Sequence, residues 1–285
     1  MLARPVQVGK SGVRPHALTR LRGMDRPLPR PYPTLMSDYH AMPDGRRIAY
    51  RLTQGSGTAP AIVFLPGYMS DMAGSKASAL FDWAAANRHT CLLLDYSGCG
   101  ESDGDFADGT LSRWRDEVLS LIEAKLGGPV VLVGSSMGGW LMLLVALKLA
   151  SQSPDRLAGL VGIAAAPDFI DWGYDDAQKA QLARGETVLE DNPYGPEPTP
   201  THAGFWTDAR QHLLLGAPIP ITCPVTLLQG QRDAEVPWET ALRLAERLVS
   251  DKVLVQLAKD GDHRLSREED VARLLATVGQ HLLTA

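Results

Sequence analysis

The sequence is poor in residues that could build a disulfide framework or a thiolate metal site. Of its 285 residues only three are cysteines, Cys91, Cys99 and Cys223, and no Cys-x-x-Cys motif occurs. An odd number of cysteines without such spacing excludes a disulfide-stapled scaffold and indicates a reducing compartment. Histidines and acidic residues do not cluster at metal-ligand spacing either, so we expect no metal and no other cofactor.

Long apolar runs are also missing, and basic residues are concentrated at one end. No window reaches the roughly 18 uninterrupted apolar residues of a membrane-spanning helix. The formal net charge is −5, although residues 1–35 hold seven basic residues and one acidic residue. The remainder is therefore strongly acidic, and such a body repels polyanions. We predict neither a membrane span nor a nucleic-acid partner.

Residues 1–35 form a basic, proline-rich arm for which three interpretations remain open. The arm is rich in arginine and nearly free of acid, as targeting sequences are. It is equally typical of a flexible tail, or it results from the choice of start codon, since Met24 and Met36 are alternatives. We predict a flexible arm and a folded domain over 36–285 in the cytoplasm, with an organelle as the alternative if the arm is a transit peptide.

Short apolar runs alternate with helical patterns through most of the chain. Residues 61–65 (AIVFL), 90–94 (TCLLL) and 130–133 (VVLV) are apolar throughout, which is typical of strands buried on both faces. Stretches with helical spacing follow them, and this alternation predicts an α/β fold with a mostly parallel sheet and helices on both faces. Further buried strands are predicted at 157–166, 224–229 and 252–257, and a hairpin at 38–52.

Residues 167–220 interrupt this pattern, since they contain no buried-strand run and are rich in proline and aromatic residues. We interpret them as a small helical cap, with helices near 175–184 and 201–215, inserted over the carboxyl edge of the sheet. Its aromatic side chains suit an apolar acyl or aryl group, with packing onto the sheet as the alternative role. The predicted substrate contacts are Trp172, Phe205 and Trp206.

The strand at 130–133 runs into residues 134–138 (GSSMG), a Gly-x-Ser-x-Gly motif followed by an apolar helix. In such a turn the serine takes a strained backbone conformation, and the flanking glycines avoid steric collisions. The hydroxyl then lies at a helix N-terminus, whose dipole favours developing negative charge. We predict Ser136 as a nucleophile, with a loop that only caps the helix as the alternative.

A serine hydroxyl needs a base to take its proton, and the chain offers seven histidines. His263 follows the strand predicted at 252–257, in a glycine-containing turn that can direct the imidazole towards the sheet edge. His281 lies in the predicted terminal helix and is expected at the surface, whereas His202 and His212 fall in the cap and could contact substrate. We therefore predict His263 as the base.

The base needs an acidic partner that fixes its tautomer and stabilises the imidazolium. Asp233 follows the strand predicted at 224–229, so it reaches the same sheet edge. Glu235 is a rival for this role, and Asp262 is a second rival that would point away in an extended turn. We predict Asp233 as the acid of a Ser-His-Asp triad.

An oxyanion needs preorganised hydrogen-bond donors. The residue after the nucleophile, Met137, supplies one backbone N–H. The second is expected from the loop after the strand at 61–65, where Tyr68 follows a Pro-Gly pair. We predict the N–H groups of Tyr68 and Met137 as the oxyanion hole, with an ordinary turn as the alternative for Tyr68.

Residues 95–102 (DYSGCGES) form a glycine-rich loop after a strand, as phosphate-binding loops do. The loop lacks the Lys-Ser/Thr end of a P-loop and the Gly-x-Gly-x-x-Gly spacing of a dinucleotide site. We interpret it as a structural loop that supports the turn around Ser136.

Taken together, these motifs resemble the α/β-hydrolase superfamily over roughly residues 38–285. Within the superfamily they are similar to the mitochondrial palmitoyl-protein thioesterases, a subfamily also known as mycophenolic acid acyl-glucuronide esterases. The similar strings are 64–68 (FLPGY), 95–104 (DYSGCGESDG), 134–142 (GSSMGGWLM), 218–220 (PIP), 236–238 (VPW) and 262–264 (DHR).

The resemblance implies that Ser136 is the nucleophile, Asp233 the acid and His263 the base. It also implies hydrolysis of acyl thioesters or carboxylic esters, on a small molecule or on an S-acylated protein. Residues 175–200 match nothing in this family, so the resemblance does not fix the substrate. Two alternatives remain open: an acyltransferase that uses the same triad, and a ligand-binding protein on a hydrolase scaffold.

Overall fold

The structure is a computed structural model that describes residues 36–192 and 195–283, so the predicted arm at 1–35 lies outside the described residues. Within these residues the chain forms ten strands and eight α-helices. The strands are β1 (Asp38–Ala41), β2 (Arg47–Thr53), β3 (Ala61–Leu65), β4 (Cys91–Leu94), β5 (Val130–Ser135), β6 (Leu157–Ile163), β7 (Val188–Glu190), β8 (Thr199–Thr201), β9 (Val225–Gly230) and β10 (Val253–Ala258). The helices are α1 (Ser75–Ala86), α2 (Leu111–Lys125), α3 (Met137–Gln152), α4 (Phe169–Trp172), α5 (Asp176–Ala183), α6 (Ala203–Ala209), α7 (Glu239–Arg247) and α8 (Glu268–Leu283).

Eight of the strands form one sheet in the order β1-β2-β4-β3-β5-β6-β9-β10. β1 and β2 form the predicted antiparallel hairpin, and β2 also runs antiparallel to β4. From β4 onward in this order, each neighbouring pair of the sheet is parallel. The predicted mostly parallel sheet is therefore confirmed, and the carboxyl ends of β3, β5, β6, β9 and β10 meet at one edge.

The central strands are apolar along their length because each face of the sheet is covered. In β5, Val130 and Leu132 pack into the core shared with α2, α3 and α7. Val131 and Val133 alternate with them and pack into the core shared with α1 and α8. Successive side chains of a strand point to opposite faces, so burial on both sides removes the polar positions that a half-exposed strand would show.

Two predictions about the outer part of the sheet are wrong. β10 was predicted as a buried strand, but it is an edge strand, and Leu254 and Leu257 are 51% and 40% exposed. His281 was expected at the surface, but it is only 6% exposed and its Nε2 lies 3.0 Å from Thr226 Oγ1. His281 is three residues beyond the buried Val278, so it lies on the face of α8 that packs against the sheet.

The cap between β6 and β9 contains the two predicted helices, as α5 and α6, together with α4 and the antiparallel hairpin of β7 and β8. Asp168 ties the start of this segment to its end, since its buried carboxylate accepts hydrogen bonds from the N–H groups of Leu214 and Leu215 at 2.8 and 2.7 Å. The Tyr68 hydroxyl donates to the Pro200 carbonyl oxygen at 3.0 Å and so joins the cap to the loop after β3. Burial raises the pKa of this phenol, which keeps it protonated as a donor.

Candidate active site

The turn between β5 and α3 holds Ser136 in a strained conformation. Its φ of 55° and ψ of −122° lie outside the regions that non-glycine residues prefer. The Ser136 N–H donates to the Ile163 carbonyl oxygen at 2.9 Å, and the Ser136 carbonyl accepts from Gly139 and Ala166 at 2.8 and 3.1 Å. Such strain persists only where the surroundings fix the backbone on several sides. These three bonds meet that condition.

The glycines around Ser136 are required by close backbone contacts. A Cβ on Gly138 would lie 2.1 Å from the Leu65 carbonyl oxygen, and one on Gly134 would lie 2.3 Å from the Gly138 carbonyl oxygen. A Cβ on Gly139 would lie 2.5 Å from Ala165 Cβ. The motif therefore lets α3 start tight against the ends of β3 and β6, and this packing places the serine side chain at the sheet edge.

The three predicted triad residues meet at this edge. His263 Nε2 lies 3.0 Å from Ser136 Oγ, and His263 Nδ1 lies 3.0 Å from Asp233 Oδ2. With Nδ1–H donating to the carboxylate, Nε2 accepts the hydrogen bond of the serine hydroxyl. The arrangement is that of a nucleophile, a base and an acid that orients the base.

The Asp233 side chain is fully buried, yet its environment favours the carboxylate. It accepts hydrogen bonds from the backbone N–H groups of Val236 and Glu235 at 2.8 and 2.9 Å, and from Gln229 Nε2 at 2.9 Å. Burial raises the pKa of Asp233, but the hydrogen bond and charge of His263 and the backbone donors outweigh it. The pKa is therefore lowered from its ordinary value, and Asp233 remains an acceptor for the imidazole.

The rival acids occupy other positions. Glu235 Oε2 lies 3.5 Å from His263 Nε2, the nitrogen that faces the serine, and not beside Nδ1. Asp262 Oδ1 accepts a hydrogen bond from the Leu265 N–H at 3.0 Å. Neither is placed to fix the tautomer of the imidazole, so the geometry favours Asp233 for this role.

The two cap histidines bind other side chains. His202 Nδ1 lies 3.0 Å from Thr187 Oγ1, and His212 Nε2 lies 2.7 Å from Ser112 Oγ. Neither lines the cavity above Ser136. The expectation that they contact substrate is not supported by these positions.

The loop after β3, which carries Tyr68, is held at both ends by the glycine-rich loop after β4. The Tyr96 hydroxyl donates to the Pro66 carbonyl oxygen at 3.1 Å, and Asp95 Oδ1 accepts from the Met72 N–H at 2.7 Å. Both side chains are buried. The glycine-rich loop thus supports the predicted oxyanion loop, and the roles of the Tyr68 and Met137 N–H groups remain predictions.

A cavity of about 760 Å³ opens above Ser136 and His263. Its lining is partly aromatic, with Tyr68, Phe169, Trp172 and Tyr174. It is also partly charged, with Glu190 and Asp191 from the cap and with Asp71, Lys76, Glu235 and Arg264 from the rest of the chain. The volume suits a small ligand or one end of a longer one.

Of the three predicted substrate contacts, only Trp172 lines this cavity. Phe205 is 1% exposed and lies behind the wall, with its ring centre 5.9 Å from that of Phe169. Trp206 is also buried and packs under the Arg210 guanidinium at 4.6 Å. The predictions for Phe205 and Trp206 are therefore corrected, because α6 turns both rings into the interior.

Phe169 and Tyr174 also line the cavity; they belong to the cap aromatics that are expected to suit an apolar group, but they are not among the three predicted substrate contacts. Both follow closely on the carboxyl end of β6, the strand whose end borders the turn of Ser136. Proximity to a strand end is the signal that would have favoured them over the later cap aromatics, since ligands bind at the carboxyl ends of parallel strands.

Across residues 36–192 and 195–283, no three histidine, cysteine or acidic side chains come together as a metal ion would need. No helix in the same ranges has the length and apolarity to cross a bilayer.

The family model described as the alpha/beta hydrolase family matches residues 62–277. The chain belongs to this family. The predicted α/β-hydrolase fold is thereby confirmed. The assignment to the hydrolases of the ester and thioester class is confirmed as well, because relatives of this chain are thioesterases and hydrolases.

Among curated proteins, the chain is similar to the mitochondrial palmitoyl-protein thioesterase ABHD10 of Mus musculus, with 40% identity over 237 residues, or 81% of this chain and 77% of that protein. Among solved structures, a protein from Agrobacterium vitis S4 described as a hydrolase has a TM-score of 0.81 and 36% identity, covering 87% of this chain and 99% of that one. Mouse alpha/beta hydrolase domain-containing protein 10 has a TM-score of 0.78 and 35% identity, over 86% and 97% of the two chains. The resemblance to this subfamily is confirmed.

Proposed function

We propose that this chain is a serine hydrolase that cleaves acyl thioesters or carboxylic esters through an acyl-enzyme on Ser136. The observation that carries the proposal is the 3.0 Å contact between His263 Nε2 and the hydroxyl of a serine in a strained turn. Asp233 on the far side of the imidazole completes the arrangement. No cofactor is required for this chemistry, because the hydroxyl, the imidazole and the backbone donors supply every proton and charge it needs.

In the first half-reaction, Ser136 Oγ attacks the substrate carbonyl carbon while His263 Nε2 takes the hydroxyl proton. The carbonyl oxygen becomes an oxyanion, which the N–H groups of Met137 and Tyr68 would bind. When the carbonyl re-forms, the bond to the leaving oxygen or sulfur breaks, and His263 gives its proton to that atom. Asp233 stabilises the imidazolium during this step and stays ionised.

In the second half-reaction, water takes the place of the departed alcohol or thiol. His263 removes one proton from the water as its oxygen attacks the acyl carbon, and the bond from that carbon to Ser136 Oγ then breaks. The proton returns from His263 to Ser136 Oγ, and the carboxylic acid is released. The enzyme is restored without any net gain of protons or electrons.

The aromatic residues of the cavity lining suit an apolar acyl group. Phe169, Trp172 and Tyr174 line the same cavity as Ser136, and apolar surface removed from water by such rings favours binding. The mouse relative is named a palmitoyl-protein thioesterase, which supports a fatty acyl thioester, including one on an S-acylated protein. A small-molecule ester with an apolar acyl group fits the same site.

The compartment is part of the proposal. The relatives from Mus musculus and Homo sapiens are named as mitochondrial, which supports the organellar alternative and gives no support to the cytoplasmic prediction. A reporter fused to residues 1–35 tests this directly, since uptake by isolated mitochondria is expected if the arm is a transit peptide. Failure of uptake would favour a cytoplasmic enzyme.

Replacement of the nucleophile tests the proposed reaction. Ser136→Ala should lower kcat for 4-nitrophenyl butyrate by about 10⁴–10⁶-fold, because the acyl-enzyme can no longer form. Ser135→Ala is the matched control, since the neighbouring serine is buried and His263 Nε2 is hydrogen-bonded to the hydroxyl of Ser136 instead. Its kcat should stay within about fivefold of the parent. Circular dichroism should show that both variants are folded. Comparable loss in both variants, or retained activity in Ser136→Ala, contradicts the proposal.

A further inference from the structure

A buried glutamine lies directly behind the acid of the triad. Gln229 is the residue before the last in β9 and is 1% exposed. Its Nε2 lies 2.9 Å from Asp233 Oδ2, and 3.3 Å from the carbonyl oxygens of Gly230 and Val236. All three neighbours are acceptors, so the amide must present its NH₂ group to them. The surroundings of Gln229 therefore fix a donor on Asp233.

The two carboxylate oxygens of Asp233 are held in different ways. Oδ1 accepts hydrogen bonds from the backbone N–H groups of Glu235 and Val236 at 2.9 and 2.8 Å. Oδ2 lies 3.0 Å from His263 Nδ1, and its other donor is the side chain of Gln229. A carboxylate held at one oxygen can still turn about its Cβ–Cγ bond, so the contact at Oδ2 fixes the plane in which the imidazole is bound.

The burial of Gln229 is only partly compensated. Its Oε1 is buried without a hydrogen-bond partner among the described residues, and a buried polar atom without a partner lowers stability. An apolar side chain of the same length would avoid this loss, but it would leave Asp233 Oδ2 without its amide donor. The shortest contact of the amide, that with Asp233, is what such a side chain could not replace.

A donor on Asp233 also affects the proton of His263. The carboxylate stabilises the imidazolium, and a hydrogen bond to the carboxylate offsets part of its negative charge. Without that bond the imidazolium is stabilised more strongly, so the imidazole stays protonated to a higher pH. Protonated imidazole cannot accept the proton of Ser136 Oγ, and the pH range of activity should therefore respond to Gln229.

We propose that Gln229 is a positioning residue of the catalytic site, which holds Asp233 Oδ2 against His263 Nδ1 and offsets part of the carboxylate charge that the imidazole meets. The inference rests on the proposed hydrolase function and deepens it with a residue outside the triad. Gln229 does not line the cavity above Ser136, so it acts through Asp233 and not through contact with substrate. Every proton transfer remains with the triad.

Other charged groups also surround His263. Glu235 Oε2 lies 3.5 Å from Nε2, and Asp262 and Arg264 flank the histidine in the chain. Asp71 and Lys76, from the chain between β3 and the first turn of α1, line the same cavity. These five groups are unchanged when only position 229 is substituted. A difference between the pH profiles of parent and variant therefore measures the contribution of the amide.

Gln229→Met tests the proposal, since methionine has a similar length and donates no hydrogen bond. The measurement is kcat and KM for 4-nitrophenyl butyrate from about pH 5 to pH 9. The acid limb of kcat/KM should move up by about half to one pH unit. The plateau of kcat should fall by about tenfold, because the imidazole is less well aligned. KM should stay within about twofold, since Gln229 does not contact the substrate.

Gln229→Asn is a second variant that keeps an amide. Its side chain is one methylene shorter, which withdraws the donor from Asp233, so kcat and the acid limb should change in the same direction. Gln256→Met is the matched control. Gln256 lies on β10 opposite Leu228 of β9, and among the described residues none of the hydrogen bonds to Asp233 or His263 comes from it. Its pH profile should equal that of the parent.

The outcomes separate this inference from the function on which it rests. A variant at position 229 that is folded by circular dichroism and keeps the acid limb of the parent would overturn the positioning role and leave the hydrolase intact. An equal shift in Gln256→Met would also overturn it, since the effect would then not depend on the contact with Asp233. Absence of Ser136-dependent turnover in the parent contradicts the hydrolase function itself.

Discussion

At the scale of single residues, two carboxyl groups, those of Asp233 and Glu235, lie close to the His263 imidazole. The two carboxyls are two positions apart after the same strand, and both can reach the carboxyl edge of the sheet. In the structure they approach opposite nitrogens of His263, with Asp233 at Nδ1 and Glu235 at Nε2. Only an acceptor at Nδ1 keeps Nε2 available for the serine proton.

Replacement of each carboxyl by its amide tests this assignment. Asp233→Asn should lower kcat by about 10³–10⁴-fold, because the amide can hold the wrong tautomer of the imidazole. Glu235→Gln should lower kcat by less than about tenfold. Steady-state kinetics on one aryl ester give both values. A larger loss in Glu235→Gln than in Asp233→Asn would reverse the roles.

The site residues that a sequence predicts most specifically are those whose chemistry needs a fixed local pattern. Gly-x-Ser-x-Gly between a strand and a helix identifies Ser136 because the close contacts of Gly134 and Gly138 admit no side chain. The cap aromatics have no such pattern. Whether Phe205 faces the cavity or the interior depends on how α6 is rotated against Phe169, and a segment without clear periodicity does not encode that rotation locally.

At the scale of elements, the glycine-rich loop after β4 acts on the oxyanion loop after β3. Tyr96 and Asp95 bind the two ends of the segment from Pro66 to Met72, which carries Tyr68. The sequence predicted a supporting loop but assigned its support to the turn of Ser136. The strand order explains the difference, because β4 is adjacent to β3 and is separated from β5 by it.

Removal of the Tyr96 hydroxyl tests this positioning role. Tyr96→Phe leaves the Pro66 carbonyl without its donor, so the free energy of unfolding should fall by about 1 kcal/mol. If the bond also positions the oxyanion donors, kcat should fall by about three- to tenfold with little change in KM, since the donors act mainly in the transition state. Denaturant unfolding and steady-state kinetics measure the two effects. Lower stability with kcat unchanged would make Tyr96 a purely structural residue.

At the scale of the whole molecule, the alternation of apolar strands and helices was enough to predict the layered fold. Which strand lies at the edge of the sheet cannot be read from that strand's own residues, so the exposed residues of β10 were predicted as buried. The hairpin of β7 and β8 was missed because each strand has only three residues, which is too short for an alternation of apolar and polar side chains to be recognised. The burial of His281 likewise depends on which face of α8 meets the sheet.

The buried His281 predicts a dependence of stability on pH. Burial lowers its pKa below 6.5 in the folded state, and its Nδ1 has no hydrogen-bond partner among the described residues. As pH falls through about 6.5, the unfolded chain therefore takes up a proton that the folded chain does not. The free energy of unfolding should then decrease by up to about 1.4 kcal/mol per pH unit from this group.

Urea unfolding between pH 8 and pH 5 measures this effect. His281→Gln keeps a polar side chain near Thr226 but cannot titrate, so its stability should change less steeply over that range than the parent's. Equal slopes for the parent and His281→Gln would show that the buried imidazole does not contribute to the pH dependence.

The most direct test of the central claim is the chemical identity of the reactive group. A fluorophosphonate reacts with an activated serine, which displaces fluoride and keeps the phosphonyl group. Peptide mass spectrometry after stoichiometric treatment should place the adduct on Ser136, with no labelling in Ser136→Ala and strongly slowed labelling in His263→Ala. An unlabelled parent protein, or an adduct on another residue that persists in Ser136→Ala, would contradict the account.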